Sequence, residues 1–364
     1  MIPQSSIIVL LTVLGVPVGN PAVAQSGPAS NSLKGKKLIE WGWDEPDTKF
    51  MRENIDKMER FPFDGLVFHA TSGKGVNLAW EVWGNQKYTA DDFKQAIEDL
   101  KATKFNQFTD RFMRVNVTPA KVDWFDDDAW AVVANNFGVA AGIAKEGRCK
   151  GFMFDTEQYE GITVFDYRQQ KGKKTFAEYQ AKVRQRGREW AKAVNKEHPD
   201  ITILMTFGYD VTYWNAEKPK DRSTAAYGLL ADFLDGVLDA CSKETVLVDA
   251  YEFSYPYKEH KQFAEAYDGI TKKALDWTAA PEKYKSQVKA GFGIWMDHKK
   301  KDWDVADFSK NHFSPREFEA AVRSALMVSD GYVWIYAERA KWWTNEMLPA
   351  AYVEALTKAR TAGK

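Results

Sequence analysis

Short apolar runs separated by longer amphipathic stretches recur from residue 37 onward, and this alternation constrains the fold more than any other feature of the chain. The apolar runs are "KLIEWGW" (37–43), "DGLVFHAT" (64–71), "FMRVNVT" (112–118), "CKGFMFDTE" (149–157), "ITILMTFG" (201–208), "TVLVDAYEFS" (245–254), "KAGFGIWMD" (289–297) and "GYVWIYAE" (331–338). Their length and content predict strands. The intervening stretches predict helices: 47–61 with Phe50, Ile55 and Met58 at helical spacing, 89–103 behind a Thr89 cap, 126–147 closing on Gly147, and a basic helix over 175–199. Residues 314–329 carry the fullest start signal, with Ser314 as N-cap, Pro315 at the first helical position and Glu317 completing a capping box. Regular β-then-α alternation gives a parallel sheet. Eight such units close into a (β/α)8 TIM barrel, an α/β fold. A doubly wound open sheet would show a Gly-rich phosphate turn after its first strand, and none is present. No repeat of solenoid period occurs and no linker follows residue 35, so 36–364 reads as one domain.

The amino terminus reads differently. "IIVLLTVLGVPVG" is too short for a comfortable membrane span, and "AVA" before Gln25 has the small-x-small form of a signal-peptidase site, although the preceding segment lacks Lys and Arg. Residues 1–24 are therefore expected to be a removed signal peptide, with an uncleaved anchor as the alternative. Residues 25–35 read as a flexible leader, and the mature protein as secreted or periplasmic and free of the membrane. Cys149 and Cys241 each precede a strand, at the foot of the barrel, which favours buried thiols over a disulfide. A net charge of −1 argues against nucleic acid as a partner. The five His are scattered and no Cys/His cluster suggests zinc, so no metal and no cofactor is expected. Nothing in the sequence specifies an oligomeric state.

Barrel enzymes place their chemistry at the carboxyl ends of the strands. Alternation along "GFMFDTE" sends Phe152 and Phe154 toward the helices, and Met153, Asp155 and Glu157 toward the barrel axis. Two carboxylates two residues apart lie roughly 6–7 Å apart by strand rise. Like charges that close in a partly dry pocket raise at least one pKa, as a general acid at neutral pH requires. The seventh strand aims Gly291, Gly293, Trp295 and Asp297 inward, and the eighth Tyr332, Trp334, Tyr336 and Glu338. Tyr251, Glu252, Tyr255 and Tyr257 end the sixth, with their facing open. Trp41, Trp43, Asp44 and Glu45 end the first, His69 the second, and Tyr209 the fifth.

A rim of carboxylates interleaved with Trp and Tyr suits a carbohydrate, whose rings offer C–H faces to aromatics and hydroxyls to acids. Glycosidic cleavage needs two carboxyl groups and no cofactor. Asp155-Thr-Glu157 at the end of a fourth barrel strand resembles the D-x-E ending of family 18 glycoside hydrolases. Tyr251-Glu252 is similar to that family's Tyr-Asp pair, and Trp334 to its pocket Trp. That resemblance implies Glu157 as acid/base and Asp155 as the group orienting a substrate acetamido nucleophile. The longer family motif would need acids where Lys150 and Met153 stand. "GFMFDTE" also resembles the nucleophile strand of family 31 α-glycosidases, which implies Asp155 as nucleophile.

The expected function is thus glycoside hydrolysis on a polysaccharide or glycan. Glu157 is the acid/base, Asp155 its orienting partner or the nucleophile, and Asp297, Glu338 and Glu252 are candidates for the remaining carboxylate. Trp43, His69, Tyr209, Tyr251, Trp295, Trp334 and Tyr336 are expected to contact the sugar. The alternatives are a non-catalytic carbohydrate-binding protein on a degenerate barrel, and a metal-dependent hydrolase using His69 with nearby acids. Structural readings stand beside these: Asp155 and Glu157 as a strand-end cap, His69 as a core residue, one of Trp41 and Trp43 in the core, and the Lys-rich 297–304 as a solvated loop. The glycosylation pattern at Asn116 is expected to go unmodified if it ends a barrel strand.

Overall fold

The computed structural model describes residues 33–159, 161–170, 174–218 and 220–361. The expected signal peptide and most of the leader lie outside the described residues.

Nine parallel strand segments form one sheet: β1 (Lys37–Gly42), β2 (Gly65–Phe68), β3 (Phe112–Asn116), β4 (Gly151–Asp155), β5 (Thr202–Met205), β6 (Val246–Asp249), β7 (Val288–Ala290), β8 (Phe292–Trp295) and β9 (Tyr332–Ala337). Their order is β7-β6-β5-β4-β3-β2-β1-β9-β8. The two ends of this ribbon, β7 and β8, are halves of the seventh expected strand, interrupted only at Gly291. The first half pairs with β6 and the second with β9, so the sheet closes on itself as a single-domain TIM barrel. Gly291 is pinched there: a Cβ would lie 2.9 Å from Val248 and 3.0 Å from the carbonyl of Tyr332.

The side-chain alternation follows the sequence pattern. Ile39, Trp41, Val67, Phe112, Met153, Leu204, Val248 and Trp334 fill the barrel interior. Phe152 and Phe154 pack outward, where Phe154 stacks on Trp190 with ring centres 5.6 Å apart. That outer layer is made by α1 (Thr48–Met58), α2 (Lys94–Ala102), α3 (Asp127–Glu146), the short α4 (Tyr167–Gln170), α5 (Phe176–Glu197), α6 (Leu230–Ala240), α7 (His260–Thr271), α8 (Pro281–Gln287), α9 (Pro315–Val328) and α10 (Ala350–Thr361). Local signals set their starts: the reciprocal bonds of a capping box occur at Thr175–Glu178 and Ser314–Glu317. In α1 the buried stripe is Met51, Ile55 and Met58, whereas Phe50 is half-exposed; the sequence reading placed the first stripe residue one position early.

Cys149 and Cys241 are both buried and free. Asn116 is fully buried and accepts from Arg114, so its side chain presents no glycosylation acceptor at the surface. Among the described residues no helix is long and apolar enough to cross a membrane.

Candidate active site

The parallel strands deliver their carboxyl ends to one rim, and three acids meet there. Asp155 is the last residue of β4 and is fully buried. Its Oδ1 accepts the backbone N–H of Glu157 at 3.1 Å and the Thr206 hydroxyl at 3.4 Å. Its Oδ2 accepts Arg114 Nη2 at 2.9 Å and the Tyr159 hydroxyl. Glu157, just beyond the strand, is half-buried. Burial and the charge on Asp155 push its carboxyl up to about 7, against the pull of Arg114 and Tyr159. Glu252 opens the turn Glu252–Ser254 after β6. Burial first, then the charges on Glu157 and Asp155, push it well above the usual carboxylate range.

A fourth acid belongs to the same network. Glu45 lies 3.0 Å from His69 Nδ1 and accepts Trp41 Nε1 at 2.8 Å and Arg114 Nη1 at 3.4 Å. Burial would raise its pKa, but Arg114, His69 and Trp41 together outweigh burial and hold it below the ordinary value. Arg114, on the inward face of β3, also donates from Nε to Asn116 at 3.0 Å. Its guanidinium centre sits 5.2 Å from the ring of Trp41 and 4.7 Å from that of Trp80.

Aromatic rings wall the opening. Trp334 is fully buried beneath it, donates from Nε1 to the carbonyl of Ala250 at 2.7 Å, and lies 5.0 Å from Trp41. Gly293 makes room for that indole, since a Cβ there would fall 2.6 Å from the ring. Tyr255 stacks on Tyr336 at 5.3 Å, and Trp295 stands edge-on to both, at 5.6 and 5.5 Å. Trp43, 45% exposed, donates from Nε1 to the Tyr336 hydroxyl at 2.9 Å. Trp41 and Trp43 both reach Tyr336 because residues two apart share a strand face; they differ in depth, Trp41 being buried.

The rim therefore brings together Asp155, Glu157, Glu252, His69, Trp43, Trp295 and Tyr336, with Trp334 supporting them from below. Glu338 is buried beside Tyr336, whose hydroxyl is pushed up by burial and then by that carboxylate. Asp297 is fully buried and directed at backbone: it accepts the N–H groups of Glu338, Arg339 and Ala340, and Trp295 Nε1 at 2.7 Å. Two tyrosines lie elsewhere. Tyr209 is buried in the helical layer, donating to Asp235 at 2.8 Å. Tyr251 packs against Phe253, Tyr257 and Phe292 on the outer side. The reason is local: β6 ends at Asp249, and Tyr251 takes a φ of +31°, so strand alternation no longer governs where it points.

Arg114, Trp80 and Tyr159 have no role in the sequence reading, and Glu45 and Tyr255 appear there without one. Arg114 carried a signal: a cation in mid-strand, in the same parity as inward Phe112, requires a buried anion. Trp80 carried none, being brought in by the turn Leu78–Trp80 from the long segment after β2. Among the described residues no group of three or more His, Cys, Asp or Glu is arranged to hold a metal ion.

No family model matches the chain, and no curated protein matches it in sequence. Among solved structures it is similar to a GH5-4 broad specificity endoglucanase from Bacteroides salanitronis, with TM-score 0.51 and 11% identity over 91% of this chain and 94% of that one. A GH5-4 broad specificity endoglucanase from an uncultured bacterium gives TM-score 0.49 and 13% identity over 92% and 96% of the two chains. A GH5 family lichenase from Caldicellulosiruptor sp. F32 gives 0.46 and 8% over 96% and 99%. At the identity of the Bacteroides enzyme the likeness is one of fold, and it extends the barrel over nearly the whole chain.

Proposed function

We propose that the protein is an exported glycoside hydrolase that cleaves glycosidic bonds of a polysaccharide or glycan. The observation that carries the reading is the meeting of Glu157, Glu252 and Asp155 under an aromatic rim, with Glu157 raised to about 7. A carboxyl group in that range is protonated for part of the time at neutral pH and can give its proton to a leaving glycosidic oxygen. Glu157 is the acid/base in this reading. Asp155 is its orienting partner: with Oδ1 taken by Glu157 N–H and Thr206, and Oδ2 by Arg114 and Tyr159, it is poorly placed to attack an anomeric carbon. Glu252 supplies the second carboxyl group, and Trp43, Trp295 and Tyr336 the faces on which sugar rings stack. The barrel that the chain shares with the Bacteroides salanitronis endoglucanase is one on which that protein acts on a glucan.

The experiment is release of reducing ends from a broad glycan panel by wild type and Glu157→Gln. A loss of at least ~10²-fold in the variant supports the assignment. Equal cleavage by both removes Glu157 from the chemistry. Binding of a glycan by both with no cleavage by either makes the protein a carbohydrate-binding barrel.

A further inference from the structure

Beyond Trp295 the rim changes from acidic to basic. A chain of contacts leads outward from the acids: Glu252 accepts from Tyr255, Tyr255 stands 5.6 Å from Trp295, and Trp295 stands 4.9 Å from His298. His298 in turn meets His312 edge to face, with ring centres 4.8 Å apart. His312 is anchored, its Nε2 donating to the carbonyl of Pro256 at 3.0 Å. His298 is not, because its Nδ1 is buried without a hydrogen-bond partner. An unmatched buried polar atom is costly, and here it lies beside an aromatic face already suited to a sugar.

The adjoining cation is Lys299. It is exposed and takes a φ of +59°, a left-handed conformation that residues with a side chain adopt rarely. The resulting turn, closed by the Asp302 N–H on the Lys299 carbonyl at 2.8 Å, leaves the ammonium where its charge acts on both imidazoles. Among the described residues Lys299 has no carboxylate partner. Lys258, the other cation acting on His312, is already matched by Glu317 at 2.9 Å and lies over the ring of Phe313. Burial first, then His312 and Lys299, push His298 down to about 4, so at neutral pH it is an uncharged ring. The cluster therefore offers one unpaired positive charge next to an imidazole with a free nitrogen.

We propose that His298 and Lys299, backed by His312, form a subsite for the acidic substituent of a glycan, a carboxylate or a sulfate ester, on a sugar ring that stacks against Trp295. As a substrate assignment this rests on the hydrolase reading; as a binding site it does not. A single ammonium matches a single anionic group, and the imidazole supplies a directed hydrogen bond beside it. The rings of Tyr255 and Trp295 stand in the path from this group to Glu252, so an anionic sugar held here need not meet the acids directly.

The test follows the histidines themselves. The chain has five His, and their ring 13C–1H signals are recorded by NMR at neutral pH and constant ionic strength, with His298→Gln and His312→Gln assigning the pair. Glucuronate, galacturonate and glucose 6-sulfate are added, each beside its neutral parent sugar. The His298 and His312 signals should move saturably with an acidic sugar and stay still with the neutral ones. The uronates and the sulfate ester are separate arms, and the arm that moves the signals identifies the substituent. Lys299→Met should weaken that binding about fivefold. Lys301→Met, which removes equal charge from an exposed position in the same loop, should weaken it by less than about twofold. Signals that ignore every acidic sugar overturn the proposal. Equal movement with acetate or inorganic sulfate makes this a plain anion site and overturns the glycan assignment, and equal losses in the two lysine variants overturn the role of Lys299. No arm needs turnover: histidines that respond in a protein that cleaves no glycan would remove the hydrolase reading and keep the subsite, and silent histidines in an active hydrolase would do the reverse.

Discussion

The backbone N–H of Glu338 donates to both carboxylate oxygens of Asp297, each at 3.0 Å. With the amides of Arg339 and Ala340 on Oδ2 and the Trp295 indole on Oδ1, this staples the loop after β8 to the loop after β9. Asp297→Ala would strand several buried N–H groups, at a cost of about 3 kcal/mol or more. The expected result is a lower denaturation midpoint with an unchanged m-value. Full stability with lost activity would instead return Asp297 to the list of reacting carboxylates.

The raised acids give a pH signature. Glu157 is shifted from an ordinary 4.5 to about 7, and Glu252 in the same direction. The folded protein therefore holds more protons than the unfolded chain between those values, and the contribution of these groups to stability falls as pH rises from about 4.5 through about 7. Activity limited by a protonated Glu157 declines across its upper half. Glu157→Gln, which carries no charge at either pH, should gain about 2 °C in Tm over wild type at pH 8. At pH 5 that gain should largely vanish. An equal Tm difference at both pH values would mean that Glu157 does not titrate in this window.

Trp43 offers a separate handle on substrate. Its ring is 45% exposed and fixed at one edge by the Tyr336 hydroxyl. Trp43→Ala should raise KM for a polymeric glycan several-fold with little change in kcat, and leave Tm within about 2 °C. Loss of kcat at unchanged KM would place this side chain nearer the reacting bond than the rim position implies.

The chain's two cysteines are both free and buried. Burial pushes each thiol above its ordinary pKa, Cys149 to about 11. Native protein should be inert to a thiol reagent, and the denatured chain should titrate two thiols. Reductant should leave Tm unchanged. A melting temperature that falls in dithiothreitol would require a bond between Cys149 and Cys241.

The parts of the molecule legible in the sequence are those whose cause is local. Ser314 with Glu317 marks a helix start because the capping bonds span three residues. The inward turn of Met153 and Asp155 follows from pleat alone. Past a strand end the pleat stops, and Tyr251 shows the result: one residue at positive φ turned it outward, while its neighbour Glu252 entered the site. The break at Gly291 was equally hidden, because two half-strands with different partners read as one run. Arg114 was masked by the hydrophobicity of the strand carrying it, although its charge alone demanded a partner.

Ring closure has a consequence for how the chain can fold. β1 pairs with β9 over its whole length, from Lys37 opposite Tyr332 to Gly42 opposite Ala337. The first strand thus exposes an unpaired edge until nearly all of the chain is available, and loop-closure entropy delays that final pairing further. During synthesis the nascent chain is an open ribbon with adhesive borders, the form most prone to association with other copies. A chain truncated before Tyr332 should therefore aggregate rather than yield a smaller barrel.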